Sequence, residues 1–107
     1  MMEYFPPEEE SRYDFLEKIT EVEDIVGRSG RRIEPAARER LDGVISSLRT
    51  VLSSRTASAE DFARWKRMLS LCLEEHVGVA GTLPDTGSAE ALYRCLGEIG
   101  REIDASG

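Results

Sequence analysis

The residues Ser58 to Val77, SAEDFARWKRMLSLCLEEHV, constrain the fold of this chain more than any other stretch. At roughly a hundred degrees per residue, Phe62, Trp65, Leu69, Cys72, Leu73 and His76 fall on one face of a helix. Met68 and Leu71 point elsewhere, and Leu71 lies nearly opposite Phe62. A helix resting on one neighbour needs a single apolar stripe. A second apolar side puts this helix in the middle of a bundle, or between a bundle and a partner chain. Ser58 is a good N-cap, because its hydroxyl can accept from a backbone N–H left free in the first turn. Asp61, three residues on, is a shorter form of the capping-box acid, and with Glu60 it suits the positive end of the helix dipole.

Three further segments have helical spacing. In the first, from about residue 7 to 26, Pro7 occupies the first helical position and Phe15, Ile19, Val22 and Val26 form the stripe. Tyr4, Phe5 and Pro6 lead into it, and Gly27 and Gly30 are expected to end it. The second, 35–53, begins at Pro35 and repeats Leu41, Val44, Leu48 and Val51, with Gly43 on the solvent side. The fourth, 88–104, is expected to start with Ser88 as its cap and to bury Leu92, Leu96, Ile99 and Ile103, with Cys95 at the edge. Gly97 and Gly100 weaken it. No strand-like alternation of useful length interrupts the series. The expectation is an all-α, four-helix, up-down bundle forming one domain over residues 1–107, a size that allows a modest core without a metal or disulfide.

Between the last two helices, VGVAGTLPDTG is rich in glycine and predicts an exposed, mobile loop. Within it, Leu83-Pro84-Asp85-Thr86-Gly87 resembles the recognition motif of sortase-anchored surface proteins. That family follows its motif with an apolar membrane segment and a basic tail, whereas an amphipathic helix follows here. The pentapeptide is therefore read as a proline-nucleated turn.

Charge is unevenly spread. The net charge is −7. Residues 1–27 hold nine acids and two bases, and residues 28–57 hold three acids and seven bases. Neighbouring helices with complementary surfaces explain this, as does an acidic segment that faces a basic partner. The arginines of the GRSGRR linker, Arg28, Arg31 and Arg32, are expected to be solvated. Overall acidity argues against nucleic-acid binding, which needs a phosphate-neutralising surface. No apolar run is long enough to cross a bilayer, and residence in the cytoplasm is expected, with both cysteines reduced.

Candidate chemistry is sparse. Cys72 and His76 are four apart on one face, a spacing that can chelate a metal. Counting from either side of the 78–87 loop brings Cys95 to the depth of Cys72. Three ligands leave a closed structural zinc site one short, and buried cysteines ordinarily behave as small apolar residues, so no metal or cofactor is expected. One histidine cannot serve both a metal and a catalytic triad, and neither cysteine has a context that lowers its pKa. The common dinucleotide and phosphate-loop signatures are absent. The expected function is a non-catalytic protein–protein interaction module that self-associates as a homodimer, with Met68, Leu71, Tyr13 and Tyr93 as the candidate interface. The alternatives are an acidic inhibitor or antitoxin-like protein that covers a basic protein target with residues 1–27, and a small metal or thiol-redox protein built on Cys72, His76 and Cys95.

Overall fold

The computed structural model describes residues 7–54 and 56–106. Four helices account for most of them: α1, Pro7–Ser29; α2, Pro35–Thr50; α3, Ala59–His76; and α4, Thr86–Ser106. Single 3-10 turns, Gly30–Arg32 and Val51–Ser53, follow α1 and α2. There is no strand among the described residues. The lead-in residues Tyr4, Phe5 and Pro6 lie outside them.

Chain direction alternates, but sequence neighbours are not all spatial neighbours. Phe15 of α1 meets Phe62 and Trp65 of α3 with ring centroids 5.7 and 6.1 Å apart. At the other end, Ser29 of α1 bonds to Leu83 just beyond α3, so α1 and α3 run parallel. Arg40 and Glu90 pair early in α2 and α4, and Thr50 and Ile103 line one cleft late in both, so these two also run parallel. α1 packs most extensively on α3, α2 on α4, and α3 on α4, with α1 against α2 closing the ring. α2 and α3 hardly touch, so the Val51–Ser58 connection crosses the bundle diagonally. Arg12 holds that crossing in place: its guanidinium donates to the Ser54 carbonyl at 3.1 Å and lies 5.4 Å from the centroid of the Phe62 ring.

The predicted stripes supply most of the core, although Val44, Val51 and Ile103 are only half-buried against it and Ile45 takes the buried place on α2. Phe15, Ile19, Val22 and Val26 are buried, as are Leu41, Ile45 and Leu48, then Phe62, Trp65, Leu69, Cys72 and Leu73, and Leu92, Leu96 and Ile99. Removing this apolar area from water, at about 25 cal/mol per Å², is the main favourable term. The N-terminus of α3 is as expected. Ser58 accepts from the Asp61 N–H, and Asp61 accepts from the Ser58 N–H.

Several helix ends differ from the sequence expectation: α2 gives way to a 3-10 turn after Thr50, α4 runs on to Ser106, and two others have a clear local cause. Gly27 does not stop α1, which continues to Ser29 until Gly30, at φ +46°, turns the chain. A left-handed residue there is cheap only for glycine. α4 begins two residues early, at Thr86, because Asp85 rather than Ser88 supplies the cap: its carboxylate accepts from the Ser88 N–H at 2.8 Å. A further correction concerns the 78–87 loop, which is not exposed along its length. Leu83 is fully buried, and its N–H donates at 2.7 Å to the Oγ of Ser29, itself 2% exposed. Arg32 donates to the Thr82 hydroxyl at 2.8 Å, and Gly81, at φ +75°, closes a turn back to Gly78. The turn leaves Val79 in solvent while Leu83 enters the core.

Candidate functional site

The four expected interface residues do not form one patch. Leu71 is 58% exposed and points away from the buried stripe of α3. Met68, one turn earlier, is half-buried against the core, so the second apolar side of α3 is largely consumed within the domain. Tyr93 is also half-buried, with the Arg40 guanidinium 5.4 Å from its ring centroid. That contact and the Arg40–Glu90 ion pair tie α2 to α4. Tyr13 is 63% exposed on α1, opposite the Phe15–Ile19–Val22 stripe. Met68 and Leu71 thus share one surface, and Tyr13 and Tyr93 stand on others. Val79, also exposed, was no part of the expected interface; as the loop's other large aliphatic residue besides Leu83, it is the only sequence signal for that position.

Around Leu71 the outer face of α3 is charged. Arg64, Arg67, Glu74 and Glu75 are all exposed. Arg64 leans back toward Asp61 at 3.6 Å, and Glu75 lies 4.0 Å from His76. The outer face of α1 is acidic: Glu10, Glu17, Glu21 and Asp24 are exposed on the side that carries Tyr13. Asp24 pairs with Arg28 and raises that guanidinium's pKa, through their hydrogen bond first and their charge attraction second. Glu23 pairs with Arg49 across the α1–α2 contact. The complementarity of the two segments is therefore partly satisfied inside the molecule.

Cys72 and Cys95 are neighbours, as their matched depth predicts, with α-carbons 6.1 Å apart. They are joined by a disulfide, which corrects the expectation of two reduced thiols. The spacing lies within the 4.4–6.8 Å range that a disulfide spans. In this state neither sulfur is a free thiolate, so His76 stands without the two partners that the metal alternative needs, and no group of three ligating side chains occurs among the described residues.

A cleft of about 560 Å³ opens at the diagonal crossing, walled by hydroxyl side chains such as Thr50 and Ser54, by Asp61 and Asp104, and by an edge of Trp65. Asp61 is committed to capping α3 and Asp104 is exposed. Among the described residues that line the cleft there is no cysteine, histidine or lysine. What the described surface offers is an all-α scaffold with isolated apolar side chains set among charges. Comparison with protein-family models, curated proteins and solved structures finds no match.

Proposed function

We propose that the chain is a non-catalytic protein-binding module that associates with a second copy of itself through the outer face of α3. The carrying observation is Leu71: a large aliphatic side chain, 58% exposed, beside the half-buried Met68 on the helix whose other face forms the core. Single exposed apolar residues are ordinary on protein surfaces, and only a contiguous patch makes a strong interface. The association is accordingly weak and concentration-dependent. Light scattering coupled to size exclusion, across a dilution series, tests it. A dimer that Leu71→Glu dissociates with helical circular dichroism intact supports the proposal, and a monomer at every accessible concentration sinks it.

A second reading is favoured by α1. Tyr13 stands 63% exposed on a face rich in carboxylates, and a tyrosine rimmed by charge is a common anchor for a partner of opposite sign. That partner is a basic protein rather than a nucleic acid or membrane surface, given the net charge of −7. Capture of a basic protein that is lost with added salt and with Tyr13→Ala supports this reading. Residence in the cytoplasm belongs to the same proposal and rests on composition. The Cys72–Cys95 bond pulls against it, because disulfides persist mainly in oxidising compartments.

A further inference from the structure

The charges on the outer face of α3 have a symmetry that specifies how two copies would meet. Arg64 and Arg67 lie before Leu71, and Glu74 and Glu75 lie after it, all exposed. At roughly a hundred degrees per residue these four side chains project within about 60° of the Leu71 direction, with Glu74 and Met68 at the margins. Glu60, also exposed, lies on the same face a turn before Arg64; from Arg64 to Glu75 the face reads basic, apolar, acidic along the helix axis. Laid parallel on a copy of itself, such a face sets arginine on arginine and glutamate on glutamate. Laid antiparallel about a two-fold axis, it sets each arginine pair against the partner's glutamate pair.

We infer that two copies associate through an antiparallel, isologous α3–α3 contact in which Leu71 packs on Leu71 beside the two-fold axis, while Arg67 and Arg64 face Glu74 and Glu75 of the second copy. The inference rests on the self-association proposed above and names the surface and the orientation. The register is internally consistent. Placing Arg67 opposite the partner's Glu74 brings the two Leu71 side chains within one residue of each other along the axis, about 1.5 Å. The same register sets Arg64 two residues from the partner's Glu75, about 3 Å along the axis and within reach of an arginine side chain. An isologous contact uses every complementary pair twice, so one charge in the sequence counts two times in the dimer. The Arg64–Asp61 and Glu75–His76 approaches, at 3.6 and 4.0 Å, are surface contacts worth little in water. The fold leaves the face open, since α3 packs on α1 and α4 while α2 lies at the opposite corner.

Charge reversal tests the geometry. Arg67→Glu and Glu74→Arg, taken singly, each place two like-charged pairs in the dimer and are expected to weaken association by roughly tenfold or more. The double variant Arg67→Glu/Glu74→Arg restores the pairing and is expected to return near to the wild-type dissociation constant. Arg94→Glu on α4 is the control for net charge and leaves association unchanged, and circular dichroism confirms that each variant folds. Should Arg67→Glu fail to fold, Leu71→Cys takes its place. Mild oxidation of that variant, with the native disulfide intact, is expected to give a covalent dimer across the two-fold axis. Dimerisation that ignores both single reversals, or singles that weaken it without rescue in the double, or a dimer that Leu71→Cys does not cross-link, overturns the antiparallel contact and leaves self-association standing. A wild-type chain that is monomeric throughout overturns both.

Discussion

Ser29→Ala is the substitution for which the structure gives the most specific expectation. The Ser29 Oγ donates to the Ile25 carbonyl and accepts from the Leu83 N–H, each at 2.7 Å, in a site where Leu83 is fully buried. Alanine removes the acceptor while the packed loop holds the amide away from water. A buried donor left unpaired costs about 1–3 kcal/mol, and the Ile25 carbonyl, already within α1, loses little. Leu83→Ala removes a core side chain and costs about 2–5 kcal/mol. The two losses should not add. With Leu83 truncated, the loop is free to lift and hydrate its own amide, so the serine deletion then costs only a few tenths of a kcal/mol. The coupling is expected at about 1–2 kcal/mol, within the range for residues that share one interaction. Urea unfolding, followed by helical circular dichroism and by the single, buried Trp65, reads all four corners of the cycle. A loss of 2 kcal/mol lowers the midpoint by roughly 1 M urea for a domain of this size. A Ser29→Ala variant within about 0.5 kcal/mol of wild type, or strict additivity with Leu83→Ala, would refute the account of the loop as docked through this bond.

Three other expectations follow from particular contacts. Sortase supplied with a glycine nucleophile should leave the native protein intact and act on the denatured chain, because Leu83 is buried and Thr86 and Gly87 are already helical; rapid native cleavage would mean the loop opens readily. The double variant Cys72→Ser/Cys95→Ser should lose about 3–4 kcal/mol against the oxidised chain by thermal or urea unfolding, the chain-entropy value for a loop with a sequence separation of 23. Equal stability of the reduced and oxidised protein would contradict it. Ser58→Ala should cost about 1 kcal/mol through the lost cap of α3, and Ser58→Asn, which can still accept, should recover most of it.

Most of the fold was legible because helical periodicity reports burial directly. Phe15, Leu41, Trp65 and Leu96 each belong to a spaced series, and each is in the core. The capping box at Ser58 was legible for a similar reason, since it is local chemistry at fixed spacing. What escaped had no series to belong to. Leu83 and Ile33 are buried but sit alone among glycines, arginines and turn residues, and period cannot report a single side chain. Ser29 looked like linker, and only the approach of a loop 54 residues later makes its hydroxyl a core bond. Asp85 was the legible miss: an aspartate after proline, three residues before Ser88, is itself a capping arrangement. The depth of the two cysteines could be counted, whereas their bonding depends on redox conditions that no sequence encodes.

The scatter of the expected interface residues over different surfaces has a topological origin. Short links suggest that consecutive helices pack side by side, and a helix so placed between α2 and α4 would need apolar residues on two sides, which Met68 and Leu71 supply by sequence. The Val51–Ser58 connection instead carries the chain to the opposite corner, and α3 takes α1 and α4 as its neighbours. Helix geometry then decides each residue separately. Met68 follows Arg64 and precedes Cys72 by one turn, and Cys72 is bonded to α4, so Met68 lies along that flank and is half-buried. Leu71, three residues further round, has passed the flank and faces solvent. The apolar surplus of α3 therefore divides into a part spent on the α3–α4 packing and a single aliphatic side chain outside it. A lone leucine cannot hold two chains together by burial alone. Any partner of this face must draw its specificity from Arg64, Arg67, Glu74 and Glu75, which makes salt dependence the signature to measure first.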